Sequence, residues 1–365
     1  MNRPGITRML LGIGAASVLA LTACSQGSSS DSPAASAAPS AAGSASTTGP
    51  PACAGGEVRI ALVRQLSQGD YFQQWLAGAQ RQADALGVTL DVSSADGNNA
   101  QQPINLQQAI NNDVDAIIVD HGFEDTVAPA IGEAVAADIP VVAFDVDAGS
   151  SVSEIVSLGQ SDKEIASQAL GVLETDTGGT AKVVYVYVAG YAPLDKRNAV
   201  WEQFKKDNPG IEQVAQIGVV NTSTAAATAE QAKAALQANP DATAIFAPYD
   251  EFAKGAVQAI NELGLQDKVK VYGADISTAD IGVITAPNSP WVATSATDPA
   301  NVGAIAVRAA ALKVAGLPVD ASIEVSPALI TQKDLRDRKI TNIAGLASAF
   351  PSLTTPDIAR IPWLS

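Results

Sequence analysis

The run Ala116-Ile117-Ile118-Val119-Asp120 is apolar for four residues and then ends on a carboxylate. Val141-Val142-Ala143-Phe144-Asp145 repeats the pattern, and Lys270-Val271-Tyr272-Gly273-Ala274-Asp275 repeats it again behind a leading lysine. A strand with one wet face alternates polar and apolar residues. A run without alternation reads as a strand buried on both faces of a parallel sheet. Six more runs have strand character, at 58–63, 88–92, 182–188, 214–219, 243–247 and 291–295.

Helical patterns lie between them. Phe72, Leu76, Ala79, Ala83 and Leu86 fall at spacings of 4, 3, 4 and 3, which makes one apolar stripe, and Gly87 supplies a stop. Ser161 and Glu164 match a capping box, with Ile165, Ala169 and Val172 behind them. Asp250 is placed to cap a helix that Gly264 closes, and Pro103 and Pro299 suit first turns. Strands alternating with helices imply right-handed βαβ units and a doubly wound α/β fold. Nine strands fit one large sheet or two smaller ones, and periodicity does not choose between them.

The first residues carry a separate message. Arg3 and Arg8 begin the chain without an acidic residue, and an apolar run follows from Met9 to Leu21. It is too short to span a membrane convincingly and fits the core of a signal peptide. Leu21-Thr22-Ala23-Cys24 resembles the bacterial lipobox. That resemblance implies a signal peptide at 1–23, lipidation of Cys24 and anchoring at the outer face of the cell membrane. Residues 24–56 are almost all Ser, Ala, Gly, Pro and Thr. Such a segment buries too little apolar surface to offset its ordering entropy, so a disordered tether is expected.

Composition narrows the function classes. The chain has 365 residues, two cysteines and one histidine, so no Cys/His metal cluster is available, and with Cys24 lipidated Cys53 has no partner. The formal charge of −16 falls to about −18 once a leader holding two arginines and no acid is removed. An acidic chain argues against nucleic-acid binding. No nucleophile elbow, phosphate loop or dinucleotide glycine fingerprint occurs in the right context, so neither enzyme chemistry nor a cofactor is expected.

The ordered pieces then add up to a family. Ile60-Ala61-Leu62-Val63, Tyr71-Phe72, Gly78-Ala79-Gln80 and Ala83-Asp84-Ala85-Leu86-Gly87 begin the series. Asp115 to Val119, Ile139 to Asp145, Asn239-Pro240-Asp241, Ala244 to Ala247 and Asp250-Glu251 continue it. Gly255-Ala256, Tyr272 to Asp275 and the Pro-Ala-Leu-Ile-Thr of 327–331 close it. Together they resemble the ribose-binding-protein group of type I periplasmic binding proteins. The resemblance implies two Rossmann-like lobes with parallel sheets, joined by three crossings, with ligand in the cleft between them. It divides the chain into a first lobe at 57–159 plus 298–325, a second at 160–297 plus 326–333, and a C-terminal extension at 334–365.

In open parallel sheets ligands lie beyond the carboxyl ends of the strands. Asp120, Asp145 and Asp275 end strands there, Asp250 lies just past another, and Gln65 just past the first. A carboxylate accepts charge-assisted hydrogen bonds from adjacent hydroxyls, which suits a sugar or polyol. The resemblance places stacking aromatics at Tyr71 and Phe72. It also marks departures. Val146 stands where the family often has arginine, and Tyr249 where it has asparagine. Asp195 takes the place of one arginine, and Arg197 falls at a second. Thr297 replaces glutamine, and Ser223 falls near a family aromatic. The cleft is therefore expected to be acidic and poor in arginine, which disfavours phosphorylated ligands and makes ribose one candidate among several. His121, beside Asp120, is placed at the cleft rim without an assigned role.

The leading expectation is a monomeric solute-binding lipoprotein that delivers a sugar or polyol to an ABC permease. The alternative is a receptor that passes a bound signal to a membrane sensor. A transcription regulator is disfavoured by the leader, the tether and the lack of a helix-turn-helix ahead of residue 57.

Overall fold

The computed structural model describes residues 57–364. The leader, Cys24, the tether and Cys53 lie outside the described residues. Two six-stranded sheets form, not one large sheet.

The first sheet is built from β1 (Arg59–Arg64), β2 (Thr89–Ser94), β3 (Ala116–Asp120), β4 (Val141–Phe144), β5 (Val156–Gln160) and β11 (Ser322–Val325), in the order β11-β5-β4-β3-β1-β2. Every pairing in it is parallel. The second contains β6 (Ala181–Val186), β7 (Ile211–Ile217), β8 (Ala244–Ala247), β9 (Lys270–Ala274), β10 (Trp291–Ala296) and β12 (Ala328–Thr331), in the order β12-β10-β9-β8-β6-β7. Only β12 runs antiparallel, against β10. The central strands β3, β4 and β8 are buried at every position, as their unbroken apolar runs require.

Helices α1 (Asp70–Leu86), α2 (Gln101–Asn111) and α3 (Glu124–Ala136) cover the first sheet, and α9 (Pro299–Val314) returns to it. Helices α4 (Asp162–Thr177), α5 (Ala192–Asp207), α6 (Thr224–Ala238), α7 (Asp250–Leu263) and α8 (Thr278–Thr285) belong to the second lobe. The stripe on α1 buries Phe72, Ala79 and Ala83, together with Tyr71 and Trp75. Its backbone meets α9 directly. A Cβ at Gly78 would lie 2.0 Å from the Ala300 carbonyl oxygen, and one at Gly303 would lie 2.2 Å from that of Trp75. Gly87 and Gly264 close their helices at φ 67°, in the left-handed region.

Several local readings need correction. Ser161 is the N-cap of α4, but its side chain makes no cap bond. The capping box instead opens α10 (Gln332–Asp337), where Thr331 and Asp334 bond reciprocally. The N-cap of α7 is Tyr249, and Asp250 is its first helical residue. Three short strands, β5, β11 and β12, escaped the sequence pattern. β5 alternates buried and half-buried residues and so lacks the unbroken apolar run of its neighbours. β11 alternates exposed and buried residues, and β12 buries only Ile330.

The chain passes between the lobes at Gln160–Ser161, at Thr297–Asp298 and between β11 and β12. Thr297 Oγ1 donates to Gln160 Oε1 at 2.6 Å, which ties the first two passages together. The extension adds a fourth. Leu335, Ile340, α11 (Ile343–Ala349) and Leu353 pack into the second-lobe core. Beyond Leu353 the chain crosses to α9. Asn301 Nδ2 donates to Leu353 O (3.1 Å) and Thr355 Oγ1 (2.6 Å), and Arg308 Nη2 donates to Thr355 O (3.3 Å) and Ile358 O (3.0 Å). Ile361 and Trp363 then pack beside Leu312 of the first lobe.

Arg308→Ala removes the donors that hold residues 355–358 to α9. Hydrogen exchange at amides 354–364 is expected to accelerate at least about tenfold, the loss of one or two net hydrogen bonds, while α11 amides keep their protection. Equal protection across the extension would count against this anchoring.

Candidate functional site

The site forms where the C-terminal ends of the two sheets face each other. Asp145 and Asp275 each follow the last residue of a central strand, β4 and β9, and take the same conformation. Their φ angles are 52° and 67°, in the left-handed region that aspartate tolerates better than most residues. In both, the amide bonds back into the sheet, Asp145 N to Leu158 O and Asp275 N to Ser295 O, each at 3.0 Å. The abrupt turn ends the strand and projects the carboxylate out of the sheet. Strain of this kind persists where the surrounding structure over-determines it, and it concentrates at functional sites.

Between the lobes lies a pocket, whose space of about 430 Å³ includes open solvent at its mouth. Leu66, Tyr71, Phe72, His121 and Gln160 line it from the first lobe. Tyr191, Pro193, Leu194, Arg197, Val220, Tyr249 and Asp275 line it from the second. Of the polar members, Arg197 and Asp275 bond each other, while His121 and Gln160 bond residues behind the wall. The remaining wall is aliphatic and aromatic.

Arg197 organises the second-lobe side of that wall. Nε donates to Asp162 Oδ1 (2.8 Å), Nη1 to Pro248 O (2.8 Å) and Asp275 Oδ2 (3.0 Å), and Nη2 to Asp275 Oδ1 (3.2 Å). A guanidinium has five N–H donors, so one Nη2 hydrogen remains for a ligand. Burial opposes the charge, yet Asp275 and Asp162 hold the guanidinium's pKa above its ordinary value. Burial pushes Asp162 up to about 7 in spite of Arg197.

The first-lobe side has its own arginine. Arg64, 1% exposed, donates from Nε to Asp120 Oδ2 at 2.7 Å and from Nη2 to Phe72 O at 2.9 Å. The other Asp120 oxygen lies 2.7 Å from His121 Nδ1. Asp120 is thus buried behind the wall with both oxygens occupied. Asp145 accepts from Gln160 Nε2 at 3.3 Å and lies 3.7 Å from His121 Nε2. Burial raises its pKa, against the pull of His121 and Arg197. Tyr71 Oη is buried without a protein partner. Burial, then the charges of Asp145, Asp275 and Asp120, hold its pKa well above the phenolic value, so it remains a donor.

The expectation of an arginine-poor cleft is corrected by this geometry, because two buried guanidiniums balance much of the acid. Arg64 was legible in principle. It ends β1 and pairs in register with Asp120 at the end of β3, so two opposite charges close adjacent buried strands. The structure brings Tyr71, Phe72, Arg197, Tyr249 and Asp275 together in the pocket wall, and Asp145 lies beside it, bonded to the wall residue Gln160. Besides Asp120, five others sit apart from its wall. Asp195 accepts from Tyr187 Oη at 2.6 Å and from Gly190 N, which fixes the loop before α5. Ser223 is exposed at the start of α6, and Val220 reaches the pocket instead. Thr297 serves the lobe passage. Asp250 is fully buried, accepts from Glu251 N and lies near Asp280. Gln65 is buried behind the wall and bonds Asn99. Leu66, Gln160, Tyr191, Pro193 and Leu194 were not anticipated, since single apolar or amide residues in loops, at a strand end or in the first turn of a helix carry no periodic signal.

The lobes meet around the pocket. Phe123 packs on Tyr191 with ring centroids 4.7 Å apart, and Lys196 reaches Asp147 at 2.7 Å. At the opposite rim Lys254 of α7 reaches Asp70 of α1 at 2.5 Å and also bonds Glu251. Behind it, burial and the Asp280 charge raise Asp250 well above the carboxylate range. Burial brings Asp280 to about 6.

A periplasmic binding protein domain model matches residues 60–318. The chain belongs to the periplasmic binding protein family. The ribose import binding protein of Escherichia coli is 29% identical over 279 residues, 75% of this chain and 90% of that protein. The solute-binding protein of a 5-methylthioribose transporter from Thermotoga lettingae, solved in complex with 5-methylthioribose, is 44% identical. It superposes with a TM-score of 0.81 over 84% of this chain and 97% of its own. A sugar ABC transporter protein from Yersinia enterocolitica is 31% identical, with a TM-score of 0.83 over 86% and 96%. These relatives are named for binding and transport, not for catalysis. As a family member this binding protein is extracytoplasmic, and among the described residues no helix is long and apolar enough to cross a membrane.

The Asp250–Asp280 pair sets a pH dependence. Both pKa values are raised by folding, so the folded protein holds more protons than the unfolded chain between about pH 4 and 6 and loses stability as pH rises through that window. Asp280→Asn is expected to stabilise the protein above pH 6 by roughly 1–3 kcal/mol, with little difference near pH 4. Urea unfolding midpoints at the two pH values check this.

Proposed function

We propose that this protein captures a pentose carrying an apolar substituent, of the 5-methylthioribose type, and delivers it to an ABC permease by closure of its lobes. The observation that carries the reading is the two-part pocket. Asp275, Arg197 and Gln160 offer donors and acceptors for hydroxyls in the wall, and Asp145, bonded to Gln160, stands directly behind it. Leu66, Tyr191, Pro193, Leu194 and Val220 offer apolar wall, which a plain polyol would leave unused. The relationship to the Thermotoga lettingae protein supports the same class. Contacts from both lobes to one ligand favour the closed form, because only that form makes them all. The lipobox-like start supports a membrane-anchored protein that presents its cargo beside the permease.

Isothermal titration tests the reading. 5-Methylthioribose is expected to bind at least about tenfold more tightly than D-ribose, the worth of burying one small apolar group. Asp145→Ala is expected to lose about 30-fold or more in affinity for it, with an unchanged thermal melt. Equal affinity for both sugars would remove the apolar wall from the argument, and silence with both would remove the pentose.

A further inference from the structure

His121 is the only histidine in the chain, and the wall of the pocket holds it from four directions. Its backbone sits at φ 59°, a left-handed conformation one residue beyond β3. Gln102 Nε2 donates to its carbonyl at 2.7 Å and fixes that turn. The ring lies edge-on to Phe72 (5.0 Å between centroids) and to Phe144 (5.2 Å). Nδ1 meets Asp120, itself locked by Arg64. One ring atom capable of hydrogen bonding remains, and it faces Asp145 across 3.7 Å. That gap is too long for a good direct bond. It is suited to a ligand oxygen set beside both groups, which takes a hydrogen from the imidazole and gives its own to the carboxylate.

We propose that His121 is a specificity-determining residue of this pocket, whose Nε2–H donates to the same sugar hydroxyl that Asp145 accepts from. The assignment rests on the sugar-binding reading above and adds to it one required hydroxyl and the group that reads it. A ligand lacking that hydroxyl leaves a buried donor and a buried acceptor unpaired, which is costly in such a site. Asp120 acts through His121 as a positioning residue. Its carboxylate accepts from Nδ1–H, so Nε2 carries a hydrogen only when the ring is protonated.

Charge supports the assignment. Burial disfavours the imidazolium, but the Asp120 hydrogen bond and the charges of Asp120 and Asp145 outweigh it, against Arg64, and raise the pKa above that of an ordinary histidine. Arg197, Asp275 and the hydroxyls of Tyr71, Tyr191 and Tyr249 are the other ionisable groups that line the pocket. The sign follows. The protonated ring binds, so affinity is highest below the His121 pKa and falls as pH rises through it. A second decline on the acid side belongs to Asp145, whose pKa is also raised.

The test uses untagged protein, in which the single imidazole gives an unambiguous NMR signal. In the free protein it is expected to titrate above 6.5, and saturation with 5-methylthioribose is expected to move the midpoint further up. Calorimetry with the same sugar from pH 5.5 to 9 is expected to show affinity falling about tenfold or more above that midpoint. Asp120→Asn shifts both midpoints down, and His121→Leu abolishes the alkaline limb. His121→Gln, which keeps a donor, recovers part of the affinity and also lacks the limb. Thermal melts establish that each variant is folded. A midpoint at or below 6.5, or an alkaline limb that survives in His121→Leu, overturns the proposal. Silence of the parent protein at every pH overturns the sugar reading together with the hydroxyl contact, whereas parent binding that ignores His121 overturns this assignment alone.

Discussion

The buried guanidinium of Arg197 is the constraint on which the second half of the site depends. It draws together three points distant in sequence: Asp162 just past the first lobe passage, Pro248 beyond β8 and Asp275 beyond β9. Each lies near the carboxyl end of a strand, where the backbone changes direction. Removing one partner of such a network leaves uncompensated charge in a dry interior, which costs several kcal/mol. The same bonds place Asp275 at the pocket. Arg64 does the matching work in the first lobe, so each half of the cleft is set by one arginine before any ligand arrives.

That arrangement gives the site its selectivity. The acids seen in the sequence do not present bare charge. They are held, partly neutralised and aimed. What remains toward a ligand is a small set of directed donors and acceptors: one Nη2 hydrogen of Arg197, the Tyr71 hydroxyl, the carboxylate of Asp145 and one ring nitrogen of His121. An apolar wall completes the lining. A molecule with hydroxyls on one edge and a nonpolar group on the other satisfies both parts.

Much of this was legible in the sequence because burial leaves a pattern. Strands with two covered faces cannot alternate, so β3, β4 and β9 announced themselves, and the aspartates that ended them marked the cleft. Readings failed where neighbours decide the outcome. Asp250 follows β8 as Asp275 follows β9, yet one turns inward to Asp280 and the other reaches the pocket. Asp195 and Ser223 occupy positions where the family suggested contact, but Gly190 and Tyr187 claim the first, and the second stands exposed at a helix start. Leu66 and Val220 line the wall from loops and Leu194 from the first turn of α5, where no period exists to reveal them. His121 was visible as a lone histidine, but its role depends on Asp120 being held by Arg64, a relation that exists only across the β1–β3 pairing.

The fourth passage between the lobes changes the parity of the chain. After an odd number of passages the two ends fall in different lobes; after four they return to the same one. Val58 opens the first sheet at the edge opposite the cleft, and Ile361 and Trp363 settle beside Leu312, at the end of the helix that packs on that sheet. A load applied at either described end is therefore borne by the first lobe alone. The second lobe is joined to whatever holds those ends only through its four passages.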